Sequence, residues 1–181
     1  DIDINPGASI VAAPWNGSTG GIVVLFSMGP VRNEGRISAD GAGFRGGVFI
    51  NGPGNYECTA LDEAPPNGQQ KGEGIDGLWP SATGYGNLAN GGGGGICHNS
   101  GGGGGGHGGQ GGTGGLSWSG DDSRPYGGLG GAAVDYSMFE RVIFGGGGGA
   151  GDGNDEMGVN GANGGGAVLI RAGSLLGTGT V

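Results

Sequence analysis

Apolar residues fall in short runs along this chain, each bounded by glycine or a turn pair. Ile10-Val-Ala-Ala-Pro-Trp15 is followed by the turn signal Asn16-Gly17. Gly20-Gly21 opens Ile22-Val-Val-Leu-Phe26, too short and too β-branched for a helix. Val31 to Ile37 reads as a second strand, Asp40-Gly41 as its turn, and Val48-Phe49-Ile50 as a third strand. Short strands at close spacing with glycine punctuation predict an all-β sandwich, barrel or solenoid. Ala132 to Phe144 is the longest stretch without glycine. Its apolar residues fit either period: Val134, Met138 and Val142 as a helix, or Val134, Tyr136, Met138, Val142 and Phe144 as a strand.

The end of the chain resembles its beginning. Gly165-Gly-Ala-Val-Leu-Ile170 and the stretch from Gly173 to Val181 lie over Gly20-Gly-Ile-Val-Val-Leu25 and Gly29 to Ile37, with one gap. A duplicated strand unit, its copies about 145 residues apart, therefore flanks the centre of the chain. The chain stops just after an apolar strand of the second copy, and an open strand edge invites pairing with another chain. Ile22, Val23, Leu25, Val168, Leu169 and Ile170 are the candidate assembly residues. The alternative is that both copies are core strands of one sheet.

Glycine changes the picture between them. It occurs 55 times in 181 residues, against a usual share of roughly 7%. Collagen is excluded, because its glycine must recur at every third position without interruption. Here it comes in runs, at 91–95, 101–106 and 145–149. Wholesale disorder is disfavoured by the 34% of apolar residues and their clustering. His107-Gly-Gly-Gln110-Gly-Gly-Thr113-Gly-Gly115 has a strict period of three. In a polyproline II-type helix, with three residues per turn, that period puts His107, Gln110 and Thr113 on one edge and bare glycine on the other two. Such helices have no internal hydrogen bonds, so bare edges must pair with neighbouring backbones or water. The competing reading of these runs is a flexible linker.

The expected fold is mainly β with little or no helix: short strands flanking a bundle of polyglycine II helices in one domain, residues 1–181. Within it, 1–51 is strand-rich, 52–90 an irregular proline-bearing insertion, 91–164 the glycine-rich block, and 165–181 the closing strands similar to 20–37.

Net charge is −9, and the seven basic residues form no cluster, which argues against nucleic acid or an anionic membrane as partner. No apolar run approaches the roughly 18 residues of a membrane span. Asp1 is not an initiator Met, so the chain reads as a processed protein or an excised segment. In an oxidising compartment a Cys58–Cys97 disulfide would close a loop of about 40 residues and stabilise by roughly 3–4 kcal/mol; the alternative is two unrelated thiols.

Candidate chemistry is sparse. Cys97-His98 and His107 lack the further close ligands a metal site needs. Asp152, Asp155 and Glu156 offer oxygen ligands of the kind Ca²⁺ prefers, without EF-hand or β-roll spacing, so a solvated acidic turn competes; Asp121-Asp122 is a weaker version. Glu34 and Asp40 read as surface charges on strand–turn edges, and Asn16-Gly17-Ser18 matches a glycosylation sequon. There is no GxSxG elbow, HExxH pair or P-loop lysine. The expectation is no enzyme, no cofactor and no bound metal. Trp15 is expected in the core; Trp79 and Trp118 suit either core or contact loop.

The glycine runs together with the HGGQGGTGG stretch resemble the polyglycine-helix bundles of two families. These are the glycine-rich adhesin tips of T-even-type phage tail fibres and the glycine-rich extracellular domain of the anaplastic lymphoma kinase type of receptor. The two strand units are similar to repeats in large glycine-rich surface proteins of bacteria. The resemblance covers about half the chain. It implies an extracellular or cell-surface location. It also implies that loops such as Trp118 to Tyr126 contact a surface glycan or protein receptor; Trp79 is a further contact-loop candidate as an available aromatic. Together these signals lead to an extracellular structural subunit that self-associates into a fibre, matrix or surface layer, with a receptor-binding adhesin as the alternative. Ice binding is a third reading, weakened by the lack of periodic Thr and Ala rows.

Overall fold

The computed structural model describes residues 1–52, 61–62, 68–96, 98–118, 127–137, 140–154 and 156–181. Among them are seven strands and no α-helix. The strands are β1 (Ile2–Ile4), β2 (Ser9–Val11), β3 (Ile22–Phe26), β4 (Pro30–Asn33), β5 (Arg36–Ser38), β6 (Ala167–Arg171) and β7 (Ser174–Leu176).

All their pairings are parallel: β3 with β6, β1 with β4 and β4 with β7, and β2 with β5. An isolated bridge from Arg36 to Thr180 extends the last pair. The chain therefore winds as a short solenoid with three sides. The first rung is β1 and β2, the second is β3, β4 and β5, and the third is β6, β7 and Thr180. Alternation along each strand sends Val23, Leu25, Val31 and Ile37 inward and Val24, Phe26 and Arg32 outward. Ile4, Ala12, Val23, Ile37, Ala39 and Ala42 form one buried cluster drawn from all three sides. Asn33, also buried, turns the corner: its amide donates to the Thr180 carbonyl (2.9 Å) and its oxygen accepts from Gly35 N–H (3.1 Å).

The duplicated unit is the stacking register. Ile22 faces Ala167, Leu25 faces Ile170, and Pro30 faces Ser174, the partners that the internal alignment places together. Ile22 to Phe26 is a strand as expected. Val31 to Ile37 is two strands, because the chain turns a solenoid corner at Glu34-Gly35. There a Cβ at Gly35 would run into the Ala8 carbonyl. Val48 to Ile50 is not a strand. Its N–H groups are taken by side-chain oxygens instead: Val48 by Gln70, Phe49 by Asn160 and Ile50 by Gln69, each at 2.7 Å. Ala132 to Phe144 is neither helix nor named strand where described; Met138 and Phe139 lie outside the described residues.

Between the second and third rungs the chain builds a lattice of extended segments joined chiefly by backbone hydrogen bonds. Residues 145–152 are its hub. Gly145, Gly148 and Gly151 donate to Gly165, Ala162 and Val159; Gly146, Gly149 and Asp152 donate to Gly106, Gly103 and Ser100; Gly147 and Ala150 donate to Glu73 and Gln70. Distances are 2.8–3.0 Å. Every third N–H thus goes to the same neighbour, and the falling partner numbers show that each neighbour runs antiparallel. Hub carbonyls in turn accept from Phe44 and Gly47, and from Gly92 and Gly95, on two segments that run parallel. The lattice takes in residues 43–47 and 69–74 as well as the glycine runs.

Glycine is required here by proximity. A Cβ on Gly146, Gly147 or Gly149 would collide with the carbonyl of Asn90, Arg45 or Gly93. The outer segment differs. Gly111 and Gly114 bond inward to Gly131 and Gly128, while a Cβ on Gly112 or Gly115 meets nothing within 4 Å. His107, Gln110 and Thr113 are all exposed. The seam between solenoid and lattice is aromatic: Phe144 packs edge-on against Trp15 and Phe44, each at 5.5 Å between centroids. Trp15 is half-buried there rather than enclosed in the core.

The lattice yields a prediction. Gly147→Ala and Gly149→Ala each lower the unfolding free energy by about 3 kcal/mol or more, the upper range of overpacking. Gly112→Ala and Gly115→Ala change it by less than about 1 kcal/mol, in the stabilising direction, by restricting the unfolded chain. Denaturant unfolding of the four variants checks this; equal losses at all four sites contradict it.

Candidate functional site

Two surfaces of the solenoid lack backbone partners among the described residues. The side built from β1, β4 and β7 has β1 and β7 as its edges. The expected assembly residues Ile22, Val23, Leu25, Val168, Leu169 and Ile170 lie in β3 and β6, which pair with each other inside the chain. Val23 is buried, Leu25, Val168 and Ile170 pack against the core, and Ile22 and Leu169 face outward. The third rung also exposes residues that the sequence reading did not single out. Leu175 is 52% exposed and Val181 67%, although Leu175 stands in register with the wholly buried Val31. An open recess of about 470 Å³ lies beside Val181, lined in part by Ile37, Ala39, Val168 and Thr180. The duplicated unit carried the signal: Leu175 aligns with an inward position of the copy before it.

The proposed contact tryptophans part company. Trp79 is held: its indole N–H donates to the Lys71 carbonyl at 3.0 Å, and the Arg45 guanidinium stacks 3.8 Å from its ring centroid. Trp118 is 52% exposed and tilts against His98 at 5.1 Å. Tyr126 lies outside the described residues, as do Asp121, Asp122 and both Cys58 and Cys97.

The buried polar groups serve the lattice. Asn90, fully buried, accepts from Ile75 N–H (2.9 Å) and donates to the carbonyls of Phe144 (3.1 Å) and Gly106 (3.3 Å). Gln69 donates to Ile50 and to Asp152. Arg45 clasps Glu73 through two side-chain hydrogen bonds, at 2.9 and 3.1 Å, and through its own backbone N–H at 3.0 Å. Burial alone would raise the Glu73 carboxyl. The Arg45 hydrogen bonds, aided by the Trp15 side chain, outweigh it and leave that carboxyl below its ordinary value.

Asp152 is shifted the other way. Burial raises it, against hydrogen bonds from Asn99 N–H and the Gln69 amide. Those donors occupy one carboxylate oxygen each, at 3.1 and 2.9 Å. Asp155 lies outside the described residues, and Glu156 is placed by its backbone N–H on Asn51 (2.9 Å). No group of three His, Cys, Asp or Glu poised for a metal occurs among the described residues. Glu34 and Asp40 have separate partners: Glu34 accepts from the Thr178 hydroxyl (2.8 Å), and Asp40 pairs with Arg36 at 2.5 Å. His107 contacts the Tyr136 hydroxyl at 2.7 Å and the Ile143 carbonyl at 3.1 Å.

Comparison with protein-family models, curated proteins and solved structures finds no match to this chain. No helix among the described residues is long and apolar enough to cross a membrane.

Glu73 sets a pH dependence. Its folded-state pKa lies below the ordinary 4.5, so its contribution is complete above that value and is lost as pH falls through the folded value. Glu73→Gln therefore lowers stability at pH 7 and flattens the loss on acidification. Melting temperatures from pH 7 to pH 3 check this; an unchanged acid slope contradicts it.

Proposed function

We propose that this chain is a non-catalytic structural subunit of an extracellular assembly, a fibre, matrix or surface layer built from copies of itself. In this reading the three-residue hydrogen-bond period of the lattice reflects polyglycine II helices packed side by side, each satisfying its neighbours. The observation that carries the proposal is the hub at 145–152, whose N–H groups turn in rotation to three neighbouring segments. The lattice supplies rigidity with few large side chains, which suits a scaffold more than a catalytic cleft. A Cys58–Cys97 disulfide would suit an oxidising exterior.

Trp118 supports the second reading, a receptor-binding adhesin. It is a half-exposed aromatic ring, the kind of anchor that dominates contact energetics.

Negative-stain microscopy of native material, with and without reductant, tests the choice. Regular fibres or sheets repeating at the dimension of one chain are the expected result. Monodisperse single particles overturn the structural reading, and glycan or cell binding lost in Trp118→Ala then establishes the adhesin.

A further inference from the structure

Six asparagines stand directly before glycine: Asn16, Asn51, Asn67, Asn90, Asn160 and Asn163. That pair carries a reaction of its own. The backbone nitrogen of the second residue can attack the asparagine side-chain carbonyl, and glycine, lacking a Cβ, leaves the approach open. In a folded chain the attack needs that nitrogen to be free and the side chain to be able to swing onto it.

Asn67 lies outside the described residues. In four of the other five pairs the fold has already taken the nucleophile. Gly52 N–H donates to Gly153, Gly91 to Leu88, Gly161 to Gly47 and Gly164 to Phe44, at 2.8–2.9 Å. The side chains before them are held as well. The amide oxygens of Asn51, Asn90, Asn160 and Asn163 accept from the N–H groups of Glu156, Ile75, Phe49 and Gly46, on other segments, at 2.7–2.9 Å.

Asn16 differs on both counts. Gly17 N–H has no acceptor among the described residues. Residues 16–19 are all exposed, in the connection between β2 and β3. The Asn16 amide oxygen accepts only from its own turn, from Ser18 N–H (3.0 Å) and Thr19 N–H (2.9 Å). Two donors on that oxygen stabilise the negative charge it gains under attack. The amide nitrogen, which must leave, donates to the Thr19 hydroxyl at 3.1 Å, so a proton source lies beside it.

We propose that Asn16 is a site of spontaneous deamidation and that the lattice shields the other four described pairs. The Gly17 nitrogen, having lost its proton to solvent, bonds to the side-chain carbonyl carbon of Asn16. The bond from that carbon to Nδ2 breaks, and ammonia leaves with a proton from the Thr19 hydroxyl or from water. Water then opens the cyclic imide at either carbonyl. One product is aspartate; the other is isoaspartate, with the main chain rerouted through the side chain. Each event adds one negative charge to a turn whose Asn16 main-chain carbonyl accepts from the Arg45 guanidinium at 2.9 Å. The reaction consumes water alone, needs no assembly of the chain, and is independent of the function proposed above.

Peptide mapping by mass spectrometry tests this on the full chain, produced without glycosylation and incubated at neutral to mildly alkaline pH. In the folded chain Asn16 is expected to convert at least about tenfold faster than Asn51, Asn90, Asn160 or Asn163, the factor set by a local opening cost of about 1.4 kcal/mol. The Asn16 rate is expected to rise with pH and to give isoaspartate, which direct hydrolysis of the side chain does not form. In denaturant, where the lattice is gone, the five sites are expected to react at similar rates. Asn16→Gln, whose longer side chain closes the ring poorly, is expected to remove the early conversion. A folded chain in which Asn16 stays as intact as the four shielded asparagines overturns the proposal, as does one in which a shielded pair reacts first.

Discussion

A buried backbone N–H or C=O must find a partner, and this fold meets that demand between segments rather than within them. The hub at 145–152 has no helix or sheet ladder to use. Its eight N–H groups go outward in rotation to three neighbours. At Gly146, Gly147 and Gly149 the neighbouring backbone comes closer than a Cβ permits, each facing a carbonyl. Bare Cα atoms, neighbour spacing and hydrogen-bond satisfaction are thus one constraint. The entropic cost of ordering glycine is offset across many mutual hydrogen bonds instead of by a large apolar core.

The solenoid frames this lattice. Its second and third rungs sit side by side although about 145 residues separate them in sequence. The lattice leaves after Ala39 and returns at Gly166, where Gly166 N–H bonds back to the Ala39 carbonyl (2.8 Å). Phe44 and Phe144, with Trp15, fill the seam. The missing side chain of Gly21 leaves room for the Phe144 ring. Where backbone cannot satisfy backbone, buried amides finish the work, as Asn90 and Gln69 do at segment ends.

Some of this was legible in the sequence. The likeness of 20–37 to 165–181 is the parallel register of neighbouring rungs. The period of three at His107–Gly115 matches the inward bonding of Gly111 and Gly114. Ile2–Ile4 escaped notice because three residues are too few to set a period, although Asn5-Pro6-Gly7 marks the turn that follows. Val48–Ile50 has strand composition, but its donors go to Gln and Asn side chains from distant segments, which local patterning cannot register. Residues 69–74, Gln-Gln-Lys-Gly-Glu-Gly, look like an irregular polar loop and yet supply lattice carbonyls from Gln70 and Glu73. The exposure of Leu175, in register with the buried Val31, needed the strand pairing before it was evident.

Native-state amide hydrogen exchange, resolved at single residues, tests the central claim most directly. If backbone bonds between glycine segments hold the fold, the amides of Gly146, Gly147 and Gly149 exchange as slowly as those of β3 and β6, while those of Gly112 and Gly115 exchange fast. Free-chain exchange across 145–149, with protection confined to the solenoid strands, contradicts it.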